Sequence, residues 1–202
     1  MKIKVCGVTR EEDIAALLLA GVDFIGFNFI NRSPRNIDID WAVNIINKYN
    51  IEKKAVPLCE IVDLKDVHNK LKDFNIAFYQ VYKNDDSLNH MEEFNLNYFL
   101  PTSATKVKQN QDNDLFIDNK DKYLLDNFDH GLGGSGIKFN WNDLATIKLD
   151  KCMLAGGIEI DDLNNLKNMG CWGADLNSKL EDSPGIKNHT LIKKLGDFIK
   201  SG

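Results

Sequence analysis

Apolar residues along this chain come in short blocks whose period keeps changing. "IKVCG", from Ile3 to Gly7, is a brief strand-like run. "TREEDIAALLLAG" follows, with Thr9 and Glu12 at capping-box spacing and Gly21 as a stop signal. "DFIGFNF" reads as a buried strand, and Asp40 as the cap of a helix whose apolar face is Ala42, Ile45, Ile46 and Tyr49. "KAVPLC" is a third strand; after it Asp63 caps a helix carrying Leu64, Val67, Leu71 and Phe74 on one side. "AFYQVY" and "NYFLP" are the fourth and fifth strands, separated by a short helix through Leu88, Met91 and Phe94.

Thr102 to Lys120 is polar, with room for a short helix at most. "KYLLD" is the sixth strand, followed by the glycine-rich loop "HGLGGSG" and a helix starting at Trp141. "CMLAGG" is the seventh, with Leu163, Leu166 and Met169 marking its helix. "GADLNS" is the eighth, and "IKNHTLIKKLGDFIK" closes the chain as a helix.

Strands that are apolar on both faces and alternate with helices imply a parallel sheet covered by helices. Eight such units predict an α/β fold of the (β/α)8 TIM-barrel type, a compact single domain over residues 1–202 with some short helices. The competing architecture is a doubly wound open sheet. That fold usually carries a glycine fingerprint after its first strand, and "CGVTRE" is not one.

Composition narrows the function classes. The formal net charge of −5 offers no basic field for nucleic acid. No apolar run approaches the ~20 residues of a membrane span, and "MKIKVCG" is too short for a signal peptide. The four cysteines lie far apart, in neither a disulfide framework nor a metal-ligand spacing. The expected setting is cytoplasmic and reducing, without metal.

In a barrel the active site lies at the carboxyl ends of the strands. That rule selects Cys6, Gln80, Asp126, Gly156, Gly157, Asp175, Asn177 and Ser178, with Arg35 in the loop after strand two. Gly156 and Gly157 let backbone approach a ligand, and "DLNSKLE" could start a short extra helix near Asn177 or Ser178. Together they suit a phosphate after strands seven and eight. Cys6 and Asp126 are a candidate base and acid, and Arg35 a bidentate partner for a carboxylate. Each also has a plain structural reading: a buried thiol, a loop-capping aspartate, a solvated arginine. Gly7 would leave room around the thiol. His68, His90, His130 and His189 read as structural or solvent-facing. No histidine or lysine immediately beside Cys6 explains how its proton would be drawn off.

The order and spacing of "KVCGVTREEDIAALLLAGVDFIGFNF", "SPR", "LLD", "GGSGIKFNW", "LAGGI" and "GADLNSKLEDSPGIK" resemble the phosphoribosylanthranilate isomerase family of tryptophan biosynthesis. The resemblance implies a cofactor-free Amadori rearrangement of a small phosphorylated aminosugar, with Cys6 as general base and Asp126 as general acid. It further implies that Arg35 holds the anthranilate carboxylate and Asp175 contacts the sugar. The phosphate would rest on backbone around Gly156, Gly157, Asn177 and Ser178. Gly133, Gly134 and Gly136 match a loop over the site. Members occur as monomers or homodimers.

Some segments depart from the family pattern. "QVYK" puts Tyr82 where a histidine is usual, "AVPLCEIVD" alters strand three, Ile137 and Lys138 replace a Lys-Thr pair, and Lys179 replaces a glycine. The alternatives are another phosphosugar barrel, such as an indole-glycerol-phosphate synthase or an epimerase, or a degenerate barrel that binds without turnover.

Overall fold

Eight parallel strands close into a barrel in sequence order, with the last returning to the first. The strands are β1 (Lys2–Val5), β2 (Phe24–Asn28), β3 (Ala55–Glu60), β4 (Tyr79–Tyr82), β5 (Tyr98–Thr102), β6 (Lys122–Leu125), β7 (Cys152–Leu154) and β8 (Gly173–Leu176). β8 pairs with β1 in the register Lys4 to Asp175 and Val5 to Leu176. That closure excludes the open sheet. The structure is a computed structural model that describes residues 1–82, 91–104, 106–107, 122–126, 144 and 147–201. Gly133, Gly134 and Gly136, with His90, His130 and the helix expected from Trp141, lie outside the described residues.

The period of two in each strand sorts its side chains into two cores. Ile3, Val5, Ile25, Phe27, Val81 and Leu176 point outward and join the helices in one large buried cluster. Phe24, Val56, Leu58, Phe99, Leu124 and Met153 fill the barrel interior as a second cluster, and Cys6 belongs with them. Among the four cysteines this alternation is decisive. Cys59, Cys152 and Cys171 sit in the outer core, and only Cys6 faces the barrel axis. All four are free thiols.

Helix α1 (Glu11–Ala20) ends as expected on Gly21, which adopts the left-handed conformation at φ 86°. Its start differs from the expectation. The helix begins one residue later than the capping-box spacing implies: Arg10 is the N-cap and supplies no side-chain bond, while Thr9, just outside, donates its hydroxyl to the Gly185 carbonyl at 2.6 Å. Helix α2 (Ile39–Tyr49) is capped by Asp38, not Asp40: its carboxylate accepts from the amides of Asp40 and Trp41 at 2.9 and 3.0 Å. Asp40 lies in the first turn and pairs with Lys70 on α3 (Leu64–Leu71). Asp63 holds the N-cap position of α3 without a side-chain bond.

Between β4 and β5 the described part of the expected helix is one 3-10 turn at Glu92–Phe94. After β7 comes α4 (Leu163–Asn168), and α5 (His189–Ser201) packs along α1. An unexpected feature lies between β8 and α5. After a 3-10 turn at Ser178–Leu180, a small antiparallel hairpin pairs β9 (Glu181–Ser183) with β10 (Ile186–Lys187). Its base is fastened to α1 by Asp13, a fully buried carboxylate that accepts from the Lys187 amide at 3.4 Å and from Arg10 at 2.6 Å, while Arg10 also donates to the Lys187 carbonyl at 3.2 Å. No described helix is long and apolar enough to cross a membrane.

Candidate active site

One cavity opens at the carboxyl ends of the strands. Cys6, Arg35, Asp126, Gly156, Gly157, Asp175, Asn177 and Ser178 all line it. Every described residue singled out from the sequence as catalytic or substrate-binding is therefore brought to one place, although the chain separates some of them by more than half its length. A larger groove, of about 660 Å³, runs outside the barrel beside α2 and α3; none of these residues borders it.

Cys6 follows β1 directly, and its thiol leans over Gly26 of β2. A Cβ at Gly26 would stand 2.8 Å from the Cys6 sulfur and 3.0 Å from its Cα. The room around the thiol thus comes from Gly26. Gly7 does something else: it is left-handed at φ 66°, and a Cβ there would come within 2.4 Å of the Arg35 side chain. The expectation that Gly7 clears space for the thiol is corrected accordingly; it clears space for the arginine.

Two residues before Cys6, and so on the same face of β1, Lys4 is completely enclosed. Its ammonium donates to Asp175 Oδ2 at 2.7 Å. Burial works against the Lys4 charge, but Asp175 and Cys6 outweigh it and hold its pKa above the ordinary value. Burial pushes the Asp175 carboxyl up, and Lys4 pulls it back. Asp175 Oδ1 is buried and has no hydrogen-bond partner among the described residues. For Cys6, burial wins and holds the thiol above its ordinary value; Lys4 is the largest opposing influence, and Lys187 opposes as well. The cation missing from the immediate neighbours of Cys6 is thus present one strand repeat earlier.

Arg35 is buried, and its Nε and Nη2 grip the Glu181 carboxylate at 2.9, 3.1 and 2.6 Å. Lys187, also buried, donates to the same carboxylate at 2.7 Å and to Asn177 Oδ1 at 2.9 Å. Although burial opposes its charge, Glu181 is held below the usual carboxylate range by Arg35 and Lys187. The hairpin therefore fixes Arg35 from one edge. A guanidinium so held keeps its Nη1 side for a second anion. Asn177, in turn, is tied to the same network.

On the opposite wall, Gln80 Nε2 donates to the Tyr82 hydroxyl at 2.8 Å, and Gln80 Oε1 is buried without a partner among the described residues. Burial pushes the Tyr82 phenol up, so it stays neutral. Asp126 follows β6, and its amide donates to the Thr102 carbonyl at 3.2 Å. Gly156 and Gly157 after β7 are both left-handed, at φ 82° and 66°, so two successive amides sit in a turn that side-chain-bearing residues rarely adopt. The extra helix expected near Ser178 is a single 3-10 turn. Among the described residues, no group of three or more His, Cys, Asp or Glu is arranged to hold a metal ion. His68 packs edge-on to Tyr79 and Phe94, away from the cavity.

Lys4, Glu181, Lys187 and Gly26 are the site components that sequence reasoning missed. For Lys4 a signal existed: it shares strand parity with Cys6.

The family model "N-(5'phosphoribosyl)anthranilate (PRA) isomerase" matches residues 3–197. "Tryptophan biosynthesis protein TrpCF" of Buchnera aphidicola subsp. Baizongia pistaciae is 36% identical over 200 residues, covering 95% of this chain and 40% of that protein. The chain thus spans about two fifths of the length of the TrpCF relatives it matches. "N-(5'-phosphoribosyl)anthranilate isomerase" of Campylobacter jejuni is 31% identical over 206 residues, covering 99% of each chain. The crystal structure of phosphoribosyl anthranilate isomerase from Thermotoga maritima superposes with a TM-score of 0.79 at 21% identity, covering 100% of each chain. With a family match over nearly its whole length and a barrel of the same fold, this chain belongs to the N-(5'-phosphoribosyl)anthranilate isomerase family.

Proposed function

We propose that this chain catalyses the isomerisation of N-(5-phosphoribosyl)anthranilate to 1-(o-carboxyphenylamino)-1-deoxyribulose 5-phosphate in tryptophan biosynthesis. It would do so as one barrel domain and without a redox cofactor. The observation that carries the reading is the convergence of Cys6 and Asp126 on one strand-end cavity, flanked by a fixed guanidinium and two glycine amides.

Asp126, protonated, gives its proton to the ribose ring oxygen as the C1–O bond breaks. The anilino nitrogen lone pair forms the C1=N bond of a Schiff base. Cys6 thiolate removes the proton from C2, and the C2–H electron pair moves to make an enolamine. Gain of a proton at C1 and loss of the enol proton at the C2 oxygen complete the ketone. Atoms and charge balance within one substrate, and an acid and a base suffice.

Arg35 would hold the anthranilate carboxylate through its Nη1 side. Asp175 Oδ1 and Gln80 Oε1, buried acceptors on cavity-lining residues with no hydrogen-bond partner among the described residues, suit sugar hydroxyls. The phosphate would rest on the backbone at Gly156, Gly157, Asn177 and Ser178. The test is turnover of fluorescent phosphoribosylanthranilate by purified protein. Wild type should quench the fluorescence, and Cys6→Ser and Asp126→Asn should each lose on the order of 10²–10⁴-fold in kcat. Wild type that binds the substrate and leaves it unchanged would make this a binding barrel.

A further inference from the structure

We propose that Lys4 is a positioning residue for Cys6: an ammonium enclosed in the barrel, anchored by Asp175, that stabilises the thiolate when Cys6 gives up its proton. The inference deepens the isomerase reading and rests on it for its use in turnover, but not for its measurement.

Lys4 has no exposed surface, and its Nζ lies 2.7 Å from Asp175 Oδ2. Burying an ammonium costs several kcal/mol that one ion pair does not reliably recover. An apolar side chain would fill the interior of β1 at less cost, as Val56, Leu58 and Met153 do on other strands. The position of the charge supplies a reason for keeping it. Lys4 and Cys6 are next neighbours on the inward face of β1, and Asp175 is the register partner of Lys4 on β8. Lys4 thus lies one strand repeat below the thiol on the inward face, with its ammonium held on Asp175. Asp175 fixes that ammonium with one oxygen and leaves the other toward the cavity.

The charged and titratable groups around Cys6 come from several elements. They are Lys4 on β1, Asp175 after the β8 midpoint, Lys187 on the hairpin, Arg35 after β2, Tyr82 on β4 and Asp126 after β6. Arg35 and Lys187 are already engaged by Glu181. Asp175 is spent on Lys4, Tyr82 is neutral, and Asp126 acts as a proton donor in the proposed reaction. Lys4 is the cation nearest to Cys6 along the strand, and it weighs most against burial of the thiol. Burial raises all four thiols, Cys59 and Cys152 to about 12 and Cys171 to about 11; the difference at Cys6 is that cations oppose the rise, whereas none is among the influences on the other three.

The test measures alkylation of Cys6 by iodoacetamide against pH in the intact protein, with the labelled peptide identified by mass and Cys6→Ser as blank. The rate reports thiolate character and needs no turnover. Lys4→Met should slow labelling about tenfold or more at neutral pH and move the ascending limb of kcat/KM to higher pH. Lys4→Arg should retain both. Lys4→Met/Asp175→Asn removes both charges, so no carboxylate is left unpaired in the barrel, and it carries the test if the single variant does not fold. Its labelling should fall between Lys4→Met and wild type. Unchanged labelling in folded Lys4→Met, or wild-type labelling in the double variant, would overturn the proposal. Absence of isomerase turnover in wild type would overturn only the isomerase reading, since the labelling comparison stands without it.

Discussion

At the amino-terminal end of the barrel interior, buried Phe24 and Phe99 and partly buried Phe78 and Trp172 form an aromatic floor. Phe78 stacks on Phe99 with centroids 4.5 Å apart, and Phe24 meets Phe99 edge-on at 5.6 Å. At the carboxyl end, Lys4, Asp175, Arg35, Glu181 and Lys187 are packed as buried charges. One strand set carries both. The floor gains stability through area and shape, and few arrangements of aromatics would be worse than several others by much. The mouth contributes little net stability for its burial, since ion pairs buried together roughly offset their desolvation. Its worth lies in fixed charge aimed at a cavity. The comparison teaches that buried residues in one core need not share a purpose.

The sharpest way to break that division is Phe99→Ala. Phe99 is fully buried and touches Phe24, Phe78 and Trp172, so the truncation should cost roughly 3–5 kcal/mol and lower the melting temperature by roughly 10 °C. The folded fraction, measured well below its melting point, should keep kcat within a few fold. A loss of kcat as large as that of Asp126→Asn would show that floor and mouth are one functional unit.

Gly26→Ala probes the border between the two. A Cβ there meets the Cys6 sulfur at 2.8 Å and its Cα at 3.0 Å, so the backbone neighbour cannot simply rotate away. Overpacking of this kind should cost about 1–3 kcal/mol. Displacement of the thiol by a fraction of an ångström should lower kcat by up to about 10²-fold. The stability effect is thus smaller than at Phe99 and the kinetic effect larger. Wild-type kcat in a folded Gly26→Ala protein would mean that the thiol has no fixed place in the reaction.

This division also sets what could be read from the chain. The strand and helix alternation was legible because "DFIGFNF", "KAVPLC" and "KYLLD" are apolar blocks between helical periods, and the barrel follows from counting them. Cys6, Asp126, Asp175 and the glycine pair were legible because strand ends are visible as pattern changes. Lys4 was not, because a lysine in a strand reads as a solvent-facing residue. Glu181 and Lys187 were not, because "EDSPGIK" looks like any polar turn and their partner Arg35 is 146 residues from Glu181. The capping-box spacing at Thr9 misplaced the helix start by one residue, and the Thr9 hydroxyl serves a contact with Gly185, 176 residues away. Local signals predict elements well and fail where a long-range polar partner decides.

The smallest expected effect concerns the hairpin and its charge. Glu181 has its pKa lowered in the folded chain, with burial opposed by Arg35 and Lys187. A carboxylate whose folded pKa lies below its unfolded one contributes stability above the unfolded value and loses it as pH falls through the folded one. Wild type should therefore lose melting temperature progressively as pH falls from about 5 toward 3, with Glu181 among the contributing groups. Glu181→Gln keeps the shape and one acceptor but cannot titrate. It should start from a lower melting temperature at neutral pH, since Arg35 and Lys187 lose their countercharge, and should fall less steeply in acid. The two curves should converge at low pH, where Glu181 in the wild type is protonated and equally neutral. Parallel curves over that range would mean that the carboxylate is not ionised against Arg35 in the folded chain. The mouth would then be held by shape, as the floor is.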